Sequence, residues 1–219
     1  MGSTASVHTR APRSKEGILA LQEEYQKRTI PQEVMVAHYT PSSFPLVPII
    51  NKRTCKLVAE SWRAIVQQNE CDSRGNMTSG ITAFYNDFYQ RLDILDTSGR
   101  FEAVLTRNVD GVSKLEAKGA ILVRIVKFLI TVEEDNDGMQ YRLYQLGRSH
   151  SHKGIRPWQY AIFVQTLLLS ISARLGTKAS HEIMEGWVNM LAFVIRSMLP
   201  SAIKNQVVET EINVNVSSD

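Results

Sequence analysis

The chain has 219 residues and a net charge of +3, with 43% hydrophobic and 21% charged residues. These are globular values, and the length fits one domain with extensions or two small ones. The small charge, with no basic stripe interleaved with aromatics, argues against a nucleic-acid partner, and no uninterrupted run reaches the roughly 18 apolar residues of a membrane-spanning helix.

Residues 1–30 lack the apolar centre of a secretory signal. The two cysteines, Cys55 and Cys71, read as free thiols of a reducing compartment. A helix running from Cys55 towards Gln68 would hold its ends roughly 20 Å apart. A disulfide needs Cα atoms within about 7 Å.

Residues 1–50 read as an N-terminal extension. The chain opens Met-Gly-Ser-Thr-Ala-Ser, with Arg10, Arg13 and Lys15 close behind. Gly2 with Ser6 fits the N-myristoylation pattern, and a vector-derived start would give the same first residues. Ser14 to Arg28 can form a short helix. Pro31, Pro41, Pro45 and Pro48 then predict an irregular stretch.

From Asn51 the pattern becomes helical. Asn51 caps a predicted helix reaching about Gln68, with Cys55, Val58, Trp62 and Ile65 on its inner face. A polar loop follows to Thr78. Ser79 caps the next helix, from Gly80 to about Leu92, with Ile81, Phe84, Tyr85 and Phe88 on one side. Asp93 to Arg100 is a turn or short helical piece, and Phe101 to Leu105 a short apolar element. The longest predicted helix spans Asp110 to about Val132, with Leu115, Leu122, Val126 and Leu129 inward. The acidic run from Glu133 to Gly138 reads as a solvated loop ending it.

Leu143, Leu146, Gly147 and His150 fall at i, i+3, i+4 and i+7, one face of a helix. A histidine on such a face is either a structural side chain or a metal ligand. Leu146 offers a carbonyl one turn back, the usual partner for the second ring nitrogen of a ligating histidine, and Ser149 offers another oxygen. Gly154 ends this helix and Pro157 starts the next. That helix carries Tyr160, Phe163, Val164, Leu167, Leu168 and Ile171 to Leu175, and Gly176 stops it. The last predicted helix has Ile183, Trp187, Leu191, Val194 and Met198 inward and ends at Pro200. Residues 201–219 read as a loose tail. The expected fold class is all-α.

Residues 51–200 resemble the globin family, and neuroglobin-like and membrane-tethered globins in particular. Ser61-Trp62-Arg63-Ala64 looks like the tryptophan region of the first globin helix. Leu146-Gly147-Arg148-Ser149-His150 looks like the end of the F helix, where the proximal histidine ligates haem iron. Ile155 stands at a haem-contacting corner position, Pro157 at the start of the G helix, and Trp187 at an aromatic of the last helix. The shared order and spacing carry the resemblance.

The resemblance implies a globin fold of helices A to H, with a short or absent D helix, and haem b as cofactor. It also implies Gly80 and Gly119 as a close B–E crossing. That register puts Lys118 at the distal position and Leu122 one turn on. Phe84 and Phe101 would enter the pocket, together with Leu146, Ile155 and Phe163. The interval from Phe84 to Phe101 is longer than the family's, and no proline precedes the C helix.

His150 is then the proximal iron ligand. Lys118 either supplies the sixth ligand, burial favouring its neutral amine, or turns outward to a propionate. The implied function is reversible binding of O₂, NO or CO, with sensing, NO dioxygenation or nitrite reduction as further roles needing an electron-donating reductase. A haem-free globin-fold regulatory module is the alternative. The expected location is cytoplasmic, with acylated Gly2 and the basic residues holding the chain at the inner face of a membrane. His152 is expected to be exposed, and Met184, Met190 and Met198 to fill core.

Overall fold

A computed structural model describes residues 31–71, 75–96 and 136–216, with side chains as far as Lys204. The expected helices over 14–28 and 110–132 lie outside the described residues, as do Gly2, Phe101, Lys118, Gly119 and Leu122.

The proline-rich segment is more regular than its sequence predicts. Gln32–Tyr39 forms helix α1. Its prolines flank it: Pro31 precedes the first turn and Pro41 follows Thr40, whose hydroxyl donates to the Val36 carbonyl at 2.7 Å. Proline is tolerated at such ends because no helical N–H is lost there. Buried Val36 turns inward, Gln32 Nε2 donates to the Pro200 carbonyl at 3.0 Å, and the Ile49 N–H donates to Asn189 Oδ1 at 2.7 Å. Residues 31–50 therefore strap onto the last helix.

Helix α2, Lys52–Gln67, begins where Asn51 Oδ1 accepts the Thr54 N–H at 2.9 Å. Its buried residues include Cys55, Val58, Trp62 and Ile65. The expected loop contains two short antiparallel strands, β1 (Glu70–Cys71) and β2 (Met77–Thr78). Strands of two residues are too short to show alternation in sequence. Cys71 is exposed and Cys55 is buried, and no disulfide joins them.

Ser79 caps helix α3, Gly80–Leu95, through the Thr82 N–H. A Cβ on Gly80 would lie 2.4 Å from the Ile65 carbonyl oxygen and 2.6 Å from that of Val66. The glycine is needed where the start of α3 abuts the end of α2. Gly119, the expected partner, lies outside the described residues; among those described, Gly80 approaches the end of α2.

Helix α4 spans Asn136–His152, α5 Pro157–Leu175 and α6 His181–Val216. Asn136 to Gly138, expected in a loop, form the first turn of α4; acidic residues are favoured at a helix start. Gly176, at φ +53°, ends α5 as expected.

Pro200 does not end α6, and the expected loose tail is helical to Val216. An interior proline costs about 3 kcal/mol. Here Leu199, Ala202 and Ile203 are buried on either side of it, and the Ser201 hydroxyl lies 3.0 Å from the Met198 carbonyl. Tertiary packing outweighs the local preference.

Both α5 and the first part of α6 are long and apolar enough, by length and composition, to cross a bilayer. The α6 window is 83% buried within the bundle, the environment of a core helix.

The core forms where α2, α3 and α6 meet. Trp62 packs edge-on against Phe84 at 5.1 Å and against Trp187 at 6.5 Å. The Trp187 Nε1–H donates to Ser61 Oγ at 2.9 Å, satisfying the buried indole. Buried Arg174 of α5 ties the hairpin down, pairing with Glu70 and donating to the Gln68 carbonyl at 2.9 Å.

Gly186 of α6 has room for a methyl group: a Cβ would meet Val58 Cγ2 at 3.7 Å and Thr54 Cγ2 at 3.8 Å. Gly186→Ala is expected to stabilise the chain by about 0.5–1 kcal/mol, mainly through helix propensity and lost unfolded-state freedom. Thermal unfolding should show a midpoint raised by roughly 2–3 °C; a lower midpoint would mean that the α2–α6 contact is tighter than this spacing.

Candidate functional site

Helix α4 divides its apolar residues between two flanks. Met139, Leu143, Gly147 and Ser151 recur every four residues and are buried. This ridge faces α6: a Cβ on Gly147 would lie 2.2 Å from the Met198 carbonyl oxygen, and the Ser201 hydroxyl donates to the Tyr144 carbonyl at 2.6 Å. Leu146 and His150 stand about 100° around the helix from that ridge. Leu146 is 39% exposed and His150 half-buried. The single inward stripe expected from sequence is thus two neighbouring ridges, one packed and one open.

On the open ridge, His150 Nδ1 lies 3.0 Å from the Leu146 carbonyl. The carbonyl can only accept, so Nδ1 carries the proton and Nε2 is left as the bare nitrogen. Nε2 makes no hydrogen bond among the described residues. Burial pushes the His150 pKa below its ordinary value; the Leu146 carbonyl opposes this, and the Lys153 ammonium adds to it. The neutral imidazole, the form that ligates metals, is favoured. Ser149, the other candidate orienting oxygen, is exposed.

After His150 the chain turns sharply. The Ile155 N–H donates to the His150 carbonyl at 3.0 Å, with Gly154 at φ +85° between them. Ile155 is half-buried against the core. Pro157 opens α5, where the Arg156 N–H donates to Gln159 Oε1 at 2.7 Å.

Helix α5 brings two rings to the site. Tyr160 lies 6.2 Å from the His150 ring, and half-buried Phe163 meets Phe88 edge-on at 5.2 Å. Phe84 was the expected pocket residue on α3, but it packs against Trp62. Phe88, one turn further along the same stripe, is the ring that reaches Phe163. Sequence reasoning missed it because periodicity fixes the face of a helix and not which of its turns meets a neighbour. His152 is exposed, while Met190 and Met198 are core.

The donor set constrains the metal. Among the described residues, no group of three or more His, Cys, Asp or Glu side chains could hold an ion. The described residues thus offer a metal at His150 no further ligand cluster, and a porphyrin would supply its own four nitrogens. Leu146, Ile155 and Phe163, on α4, the turn after it and α5, each leave apolar surface partly uncovered. The Tyr160 hydroxyl is buried and has no hydrogen-bond partner among the described residues, and burial raises its pKa. An apolar wall, one neutral imidazole and one orphaned hydroxyl fit a haem, whose flat ring is apolar and whose carboxylates accept hydrogen bonds.

The orphaned hydroxyl has a measurable consequence. Leaving a buried phenol unpaired costs on the order of 1 kcal/mol or more. Tyr160→Phe should therefore raise the thermal midpoint of the haem-free chain; a lower midpoint would show that the hydroxyl already has a partner.

The globin family model matches residues 86–198, just over half of the chain. The chain belongs to the globin family. Neuroglobin from Tetraodon nigroviridis is 26% identical to this globin over 90 residues, 38% of the chain and 57% of that relative. The chain thus spans little more than half the length of the curated relative it matches. The structure of a flavohemoglobin from Malassezia yamatoensis, with bound FAD and heme, is similar with a TM-score of 0.50 and 15% identity. That likeness covers 72% of this globin and 37% of the flavohemoglobin, and at this identity it speaks to the fold.

Proposed function

We propose that this globin binds haem b through His150 and reversibly binds O₂, NO or CO. The observation that carries the reading is the His150 Nδ1 contact with the Leu146 carbonyl at 3.0 Å, which leaves Nε2 bare and neutral. Haem held there would supply an iron able to bind a diatomic gas. Leu146, Ile155 and Phe163 would give its ring apolar cover, while the carbonyl of Leu146 holds the imidazole in one tautomer. Lys118 is the candidate distal residue in this reading. Sensing, NO dioxygenation and nitrite reduction are compatible with the same site, the last two with electrons from a reductase.

Haem titration of the purified chain tests the reading: a Soret band saturating at one haem per chain supports it. No such band, beside normal helicity, would leave a haem-free globin-fold module.

The reading extends to location. Gly2 and Ser6 fit an acylation signal, and Arg10, Arg13 and Lys15 supply a second, electrostatic attraction of about 1 kcal/mol each near anionic lipid. One acyl chain alone holds a protein only marginally. In cell fractionation, the unaltered chain should partition with membranes and Gly2→Ala should be soluble. Equal solubility of the two, or no added acyl mass, would remove the anchor and leave the haem reading in place.

A further inference from the structure

A cavity of about 620 Å³ lies away from His150, where α1 and residues 48–50 strap over α6 beside the start of α4. Its walls combine buried apolar side chains, Val36 and Phe193, with the polar ends of Gln32, Gln140 and Arg196. Arg196 is half-buried; its Nη1 is buried and, among the described residues, has no hydrogen-bond partner and no carboxylate paired with it. A buried guanidinium nitrogen without a counter-charge is costly. The planar fork of the guanidinium matches a carboxylate in two parallel hydrogen bonds. Ser197 does not meet the need, because its hydroxyl donates to the Phe193 carbonyl at 2.8 Å.

We infer that this cavity is a binding site for a monoanionic carboxylate with an apolar body, such as a medium-chain fatty acid, its head on Arg196 and its chain along Val36 and Phe193. The choice of anion follows from charge. A phosphate dianion would bring two negative charges to one cation, with Glu33 in the same wall. It would also leave the apolar wall uncovered. The volume is within the range of small-molecule sites. The inference does not depend on haem.

Calorimetric titration of the full chain with decanoate, decanol and inorganic phosphate tests it. Decanoate should bind at one site, and Arg196→Gln should weaken it roughly ten-fold or more, the loss of a charge-assisted hydrogen bond. Decanol should bind weakly and ignore that substitution. Glu33→Gln, at an exposed position, should tighten decanoate about three-fold by removing an opposing charge. Three results overturn the site: no saturable decanoate binding, equal affinity in Arg196→Gln, or phosphate binding as tightly as decanoate. Should Arg196→Gln fail to fold, an unchanged affinity in Glu33→Gln overturns it equally.

Discussion

His150→Ala is expected to abolish stoichiometric haem binding while leaving the helical content of the chain intact. The side chain is half-buried on the open ridge of α4, and its one hydrogen bond is local, to Leu146 in the same helix. Its removal therefore breaks no hydrogen bond between helices, only the ring contact with Tyr160. Losing a partner that merely orients a metal ligand costs 10–100-fold in affinity, so losing the ligand itself should cost on the order of a hundred-fold or more. Haem titration followed at the Soret band reads this directly, and added imidazole should restore part of the band by occupying the space. A variant with unchanged ferric and ferrous spectra would dismiss His150 as the ligand.

Acid should act in the same direction. The folded-state pKa of His150 lies below the ordinary value near 6.5. The unfolded chain therefore takes up the proton first, and this residue's contribution to the stability of the haem-free chain is lost as pH falls below about 6.5.

Gly147→Ala should be the most damaging small substitution in the described bundle. The added methyl would sit 2.2 Å from the Met198 carbonyl oxygen and 2.9 Å from its carbon. Both atoms are backbone, inside a buried stretch of α6, so neither can rotate away. Alanine gains about 1 kcal/mol of helix propensity over glycine, yet overpacking against a fixed wall costs typically 1–3 kcal/mol and occasionally more. The net expectation is a loss of roughly 2 kcal/mol and an α4 pushed off α6. Chemical denaturation measures the first, and weakened haem retention the second, because His150 rides on the same helix. Ser201→Ala, which removes the hydroxyl's contacts with the Tyr144 and Met198 carbonyls, should cost about 1 kcal/mol. The same glycine-to-alanine exchange at Gly186 should have the opposite sign. A Gly147→Ala chain as stable as the parent would mean that the two helices separate at little cost.

The elements legible in the sequence were those with local punctuation. Asn51 and Ser79 accept backbone N–H groups at the starts of α2 and α3, and Pro157 and Gly176 bracket α5. Local hydrogen bonding and φ preferences decide those boundaries, and they are written in single residues. Helix α1 was hidden because its prolines were read as interruptions when they are its flanks. The length of α6 was hidden because the burial of Leu199, Ala202 and Ile203 outweighs Pro200. At the site, the i, i+4 spacing of Leu146 and His150 was enough to place a carbonyl under the imidazole. The same pattern could not reveal that Leu143 and Gly147 turn away towards α6, or that Phe88 rather than Phe84 reaches Phe163. Those facts depend on how two helices meet.

The placement of α6 governs the order in which the chain can be made. Helices α1, α2, α4 and α5 all pack against it, and it is the last helix to be synthesised. On the ribosome, the strap over 31–50, the Trp62 cluster and the ridge of Met139, Leu143 and Gly147 must all wait for residues beyond His181. Contacts of such long sequence separation form slowly and leave apolar surface uncovered meanwhile. Until α6 has emerged, those apolar faces have nothing to cover them, and the helix that carries His150 has no wall to pack against.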